Sequence, residues 1–211
     1  ILYILEKCGG KPNLGETVLC KLLYFIDFDY FEQYSKSITC LNYVREQFGP
    51  IPSQTQYMPI IKEMVERNEL KIFSQEYFGL KQKRYVALQD FDTQSLSAAE
   101  IQVIDSVINR LSDMSAKQIA AYAHEDVPWK VTSDKQIIPY DLAWEREAPY
   151  AQVDHDADFA QASGGKGVVP AGLGPRSHAR VGGAGGGEHP NVRTVPSSAG
   201  RGGLRRRQHS P

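Results

Sequence analysis

With three cysteines, three methionines and two tryptophans in 211 residues, the chain has little material for several common ways of stabilising or equipping a protein. Cys8, Cys20 and Cys40 are odd in number and irregular in spacing. That pattern fits neither a complete disulfide framework nor a Cys-x-x-Cys metal site, and it is what reduced thiols of a cytoplasmic protein would show. No apolar run approaches the roughly 20 residues that cross a bilayer, and no basic start precedes a short apolar stretch as in a signal peptide. The sequence opens on Ile1 rather than methionine, which leads us to expect a missing N-terminal piece. A phosphate-cradling glycine loop and a G-x-S-x-G nucleophile turn are both lacking, so the two commonest signatures of nucleotide and acyl chemistry are absent.

Charge of one sign is scarce only on average. The net charge is −1, but residues 1–159 hold 16 Lys and Arg against 24 Asp and Glu, a net of −8, whereas residues 160–211 hold 8 against 1, a net of +7. An acidic body argues against a broad phosphate-binding face, because non-specific nucleic-acid affinity comes mainly from Lys and Arg. From Ala160 onward, 13 Gly, 7 Arg, 6 Ala and 5 Pro make up most of the chain. Such a composition cannot bury enough apolar area to offset ordering entropy. A disordered tail over 159–211 is therefore expected, either binding RNA or an acidic partner or arising from a change of reading frame, with the frame change favoured.

The body, 1–158, reads as one mainly helical α+β domain with a small antiparallel hairpin. Glu16 to Tyr34 contains no Gly or Pro, and its apolar residues cover far more than one stripe, as in a helix surrounded by other elements. Lys21, Asp27 and Asp29 interrupt it and should be partnered or lie at its edge. Asp27 and Asp29, two apart, do not share a face, which argues against a paired-carboxylate site. SITCLNYVREQ suits an extended stretch, and FGPIPSQ breaks the chain at Gly49, Pro50 and Pro52. Ser53 is expected to cap a helix running to about Asn68, with Tyr57, Ile60, Ile61, Met64 and Val65 on its apolar face and Pro59 shifting its start. ELKIFSQEYF and KQKRYVAL, joined at Gly79, read as the hairpin. Ser97 with Glu100, and Ser115 with Gln118, are capping boxes that open two helices, the second limited by Pro128.

Within YAHEDVPW, His124-Glu125 resembles half of an HExxH zinc motif, but the i+4 position is Pro128, which removes the second ligand. No metal and no cofactor are expected. His124 with Glu125 or Asp126 could serve as a general acid/base pair. The favoured reading places His124 at a helix C-terminus, as a cation or as a donor to the last carbonyls.

KLLYFIDFDYF (21–31), SITCLNYV (37–44), FGPIP (48–52) and RLSDMSAKQIAAYAHEDVPWKVT (110–132) resemble, in order and spacing, the signature stretches of the Panacea domain, the SocA-like antitoxin domain of bacterial and phage toxin–antitoxin systems. The resemblance covers about residues 13–150. It implies a cytoplasmic, non-enzymatic protein that neutralises a cognate protein toxin by direct binding, in some relatives as an adaptor to an ATP-dependent protease; a homo-oligomer is compatible with it. The motif positions are Lys21, Tyr24, Phe25 and Asp27, then Gly49, Pro50 and Pro52, then His124, Glu125, Asp126 and Trp129, and we expect them to serve the family fold or the partner surface. Two departures stand out. Cys40 occupies a position where relatives tend to have glycine, and AWEREAPY differs from the usual aromatic run, with Trp144 expected to replace a core aromatic. The alternative function is a DNA-binding regulator that uses the hairpin as a winged-helix-like element with Lys81, Lys83 and Arg84 on the wing.

Overall fold

A computed structural model of the protein describes residues 1–153, and the Gly/Arg-rich stretch expected to lack a core lies outside them. The described fold is mainly helical with two small antiparallel strand pairs. Helix α1 (Leu2–Cys8) leads into α2 (Glu16–Tyr34). In α2, Val18, Leu19, Leu22, Leu23, Tyr24, Phe25, Ile26 and Phe28 are all buried, because the helices at 98–111 and 116–124, the hairpin and a C-terminal 3-10 turn pack around it.

After α2, only Tyr43–Val44 (β1) of the expected extended stretch is strand, paired with Ile51–Pro52 (β2). Ile38 and Thr39 are folded back by hydrogen bonds to Asp27, and Arg45 exchanges backbone hydrogen bonds with Lys135 and Gln136. Helix α3 (Gln54–Glu66) follows, with Ser53 at its N-cap. The serine hydroxyl bonds Thr55 Oγ1 rather than a helix N–H, and Pro59 sits inside the helix instead of resetting its start. Only Tyr57, Ile61 and Met64 of the anticipated face are buried; Ile60 and Val65 stay exposed, since α3 packs chiefly on β3 (Leu70–Tyr77) and needs a narrow stripe.

Strands β3 (Leu70–Tyr77) and β4 (Leu80–Ala87) form the hairpin, in register from Leu70↔Ala87 to Tyr77↔Leu80. Phe78 and Gly79 both have positive φ (49° and 74°), as a two-residue hairpin turn whose twist matches its strands requires. Helix α4 (Ala98–Leu111) and helix α5 (Ala116–His124) both begin with the complete reciprocal capping boxes read from the sequence. Helix α5 ends at His124 without help from Pro128. The proline instead lies in the first turn of a short helix α6 (Val127–Val131), where its missing N–H costs nothing. The 3-10 turn Tyr140–Glu145 returns to the core through Ile138, Tyr140 and Ala143. Trp144 does not enter the core: it is 43% exposed and leans on Phe31. No helix among the described residues is long and apolar enough to cross a membrane.

All three cysteines are free. Burial pushes the Cys8 thiol up to about 11 and the Cys20 thiol up to about 12, whereas Cys40 is exposed. Because the thiolate is the reactive species, an aromatic disulfide reagent at about pH 8 should titrate one thiol per native chain rapidly and the other two only on unfolding. Three rapid thiols in the native protein would refute this packing of α1 and α2.

Candidate functional site

The signature stretches, distant in sequence, meet along one flank of α2. Lys21, Tyr24 and Asp27 rise along successive turns, and each serves a different segment. Asp27 Oδ1 accepts the backbone N–H groups of Ile38 and Thr39, both at 2.8 Å. Its Oδ2 accepts the Tyr43 hydroxyl at 2.6 Å and the Thr39 hydroxyl. Four donors thus hold the 38–43 segment on the helix, while burial pushes the carboxyl up from its ordinary value against their pull. Within that segment Cys40 has φ 57°, so the left-handed turn expected of a glycine is kept by a cysteine.

Tyr24 donates to Asp126 Oδ2 at 2.8 Å, and burial raises its hydroxyl well above the ordinary value. Asp126 stands at the N-cap of α6 but caps nothing with its side chain. Its carboxylate receives Arg146 in a two-pronged grip, Nε to Oδ1 at 2.9 Å and a terminal nitrogen to Oδ2 at 2.5 Å. The other arm of Arg146 reaches Asp29 Oδ1 at 2.9 Å and lies 3.8 Å from Glu32 Oε2, and Arg110 closes on Asp29 Oδ2 at 2.5 Å. Three carboxylates and two guanidinium groups therefore share one buried cluster. Desolvation pushes the Asp29 carboxyl up to about 6, with both arginines opposing it. Asp29 and Asp27 serve separate clusters, as their spacing required. Sequence reading missed Arg146. The available signal was a lone cation inside a segment otherwise returning to the core, set against acids on α2 that had no counterpart.

His124 and its acidic neighbours diverge. Glu125 is exposed and pairs with Lys130 at 2.6 Å, and Asp126 is committed to Arg146 and Tyr24, so neither carboxylate bonds to His124. The imidazole stacks on Trp129 with ring centres 4.2 Å apart, and the Arg45 guanidinium lies 4.3 Å from the same indole. Burial, and secondarily the Lys21 ammonium, push the His124 pKa down, which disfavours the cation of the two helix-end roles expected for it. Trp129 also fixes the 45–50 loop: its indole N–H donates to the Glu46 carbonyl at 3.3 Å, and its own carbonyl accepts Arg45 Nε at 3.1 Å.

That loop meets Lys21. Gly49 is buried with φ 92°, and a Cβ there would stand 2.8 Å from Lys21 Cε and 3.5 Å from the Ala123 methyl. The angle calls for glycine, and a Cβ would also push the tip of Lys21 aside. Pro50 and Pro52, also buried, carry the chain on into β2. Lys21 is only 1% exposed and forms no ion pair or hydrogen bond among the described residues, although the Glu46 carboxylate attracts it. Burial depresses its pKa to about 8. Beside it opens a pocket of about 370 Å³ whose lining includes Thr17, Glu46, Gln47, Phe48 and Ile51.

The basic hairpin is differently disposed from a nucleic-acid wing. Lys83 pairs with Glu16 at 2.7 Å, and Arg84 is buried, donating to the carbonyls of Gly9 and Pro12 at 2.8 and 2.9 Å. Only Lys81 of the three has no such bond. The tip is apolar, with Phe78 88% and Leu80 73% exposed. No group of three or more His, Cys, Asp or Glu side chains suited to a metal ion occurs among the described residues.

A family model described as antitoxin SocA-like, Panacea domain, matches residues 19–130. No curated protein and no solved structure matches the chain.

Two measurements probe this geometry. Arg146→Met should destabilise the protein by about 3–5 kcal/mol in denaturant titrations, because it strands buried carboxylates; a loss under about 1 kcal/mol would refute the cluster's role. Below about pH 8 the Lys21 ammonium is charged in both states and the folded one carries the burial cost. Between 8 and 10.5 the folded amine is neutral while the unfolded one still holds its proton, so stability rises with pH. Wild type should therefore gain up to about 3 kcal/mol on Lys21→Met across that window, at 1.36 kcal/mol per pKa unit. A constant difference would refute the buried ammonium.

Proposed function

The chain belongs to the SocA-like antitoxin family with its Panacea domain, and from that premise we propose that it neutralises a cognate toxin by binding it directly through a non-enzymatic surface. The observation that carries this reading is the apolar tip of the hairpin. Two large apolar side chains, Phe78 and Leu80, stand in solvent at the end of a ladder whose base is anchored in the core. Solvent-held aromatic and aliphatic groups on a rigid support are what protein interfaces use as anchors. The polar motif residues support the reading from the other side, since Asp27 and Asp126 are consumed in holding the fold together. With Lys83 and Arg84 engaged internally, the hairpin has little left to offer phosphates, and toxin binding is preferred over promoter binding.

Family resemblance adds a further step, delivery of the bound toxin to an ATP-dependent protease. A toxin half-life that shortens in the presence of the antitoxin, and only in cells with the protease, separates delivery from sequestration.

Co-expression with the product of the adjacent open reading frame should rescue growth, and the two proteins should co-purify. Phe78→Ser with Leu80→Ser should weaken the complex at least tenfold, about 1.4 kcal/mol or more, with the helical circular dichroism unchanged. Rescue without physical association would overturn direct neutralisation.

A further inference from the structure

Lys21 is a charged group folded into the protein that forms no ion pair or hydrogen bond among the described residues, and the attraction of Glu46 offsets only part of its burial. It sits at the wall of the pocket between α2 and the 46–50 loop, its tip held against Gly49. A desolvated ammonium without a partner is costly, and cores normally avoid one. The surroundings offer only partial relief. Glu46 lines the same pocket but is joined to Lys135, and Glu16 is occupied by Lys83 and by the Tyr85 hydroxyl at 2.6 Å. Both carboxylates that could have neutralised Lys21 are thus held by other cations. The pocket keeps one unmatched positive charge, in a space that falls within the usual range of ligand sites.

We infer that this pocket is a socket in which Lys21 receives a carboxylate side chain of the partner protein, an aspartate or glutamate flanked by an apolar residue that lies on Phe48. The inference rests on the toxin-binding reading for the identity of the partner. The charge state selects a monoanion: a single unmatched ammonium with two carboxylates in the wall suits one negative charge and opposes the two of a phosphate. The lip selects the neighbour. Phe48 is 69% exposed and Ile51 lines the same opening, so an apolar side chain beside the acid gains contact as the ion pair forms. Thr17 and Gln47 contribute a hydroxyl and an amide to the wall, donors suited to the second carboxylate oxygen. The ion pair then forms in a largely desolvated site, where charge-assisted hydrogen bonds are stronger than on the surface.

The test uses the full chain and two readouts. Lys21→Met keeps the length of the side chain and removes the charge, so the free protein should fold and melt at the same or a higher temperature while toxin affinity by calorimetry falls at least tenfold. Separately, the blocked amino acid N-acetylglutamate N-methylamide, titrated into the free protein at fixed ionic strength, should shift the Gly49 and Gln47 amide resonances saturably in wild type and not in Lys21→Met, with inorganic phosphate weaker. Equal toxin affinity of wild type and Lys21→Met overturns the socket and leaves neutralisation standing. Saturable shifts without toxin binding by either protein overturn neutralisation and leave a carboxylate site. Phosphate matching or exceeding the carboxylate overturns the assignment of a monoanion.

Discussion

The fold depends on one buried cation. Arg146 arrives from the last turn of described structure and satisfies Asp126 with two hydrogen bonds and Asp29 with a third, linking the α5–α6 junction to the central helix. Removing three carboxylates from water is expensive, and the guanidinium makes it tolerable because its planar fork can address two of them at once. A lysine could not do so from one position. The aromatic layer of α2 surrounds the cluster: the Arg146 guanidinium lies 5.8, 5.8 and 5.4 Å from the rings of Tyr24, Phe25 and Phe28. The region where the core is most apolar is thus also where its charge is concentrated, and the two are mutually supporting.

This arrangement explains which parts of the molecule could be read from sequence. Helices α2, α4 and α5 are specified locally, by apolar periodicity and by two capping boxes that the structure closes as read, and the hairpin by its alternating strands around Gly79. Arg146 and Asp29 are separated by 117 positions, and no local pattern announces such a pairing. The exposure of Ile60 and Val65 was likewise hidden, since what lies beside a helix decides how wide its buried stripe must be. His124-Glu125-Asp126 was legible as a motif but not as three fates: one side chain stacks on an indole, one faces solvent, and one is buried in an ion cluster. Adjacent residues on a helix end point in different directions, so sequence adjacency carries no promise of shared chemistry.

Lys21 and Arg146 show opposite solutions to burying a positive charge. Arg146 is fully compensated and holds the fold together. Lys21 lies on the same helix flank as the compensated Tyr24 and Asp27, yet the two carboxylates that line its pocket pair with other lysines. Proteins tend to place uncompensated polar groups where function needs them and to meet the cost elsewhere in the structure. The three signature stretches converge there, with Gly49 wedged between Lys21 and Ala123 and with Trp129 clamping the loop that carries Glu46.

The position of Arg146 also sets an order for synthesis. Asp29 and Glu32 leave the ribosome early, whereas Arg110, which pairs with Asp29, follows 81 positions after it and Arg146 117 positions after it. Until Arg146 emerges, packing that face of α2 into a core would bury carboxylates that Arg110 offsets only in part. Completion of the core thus draws on the segment around Arg146, the last turn of described structure, as much as on the central helix.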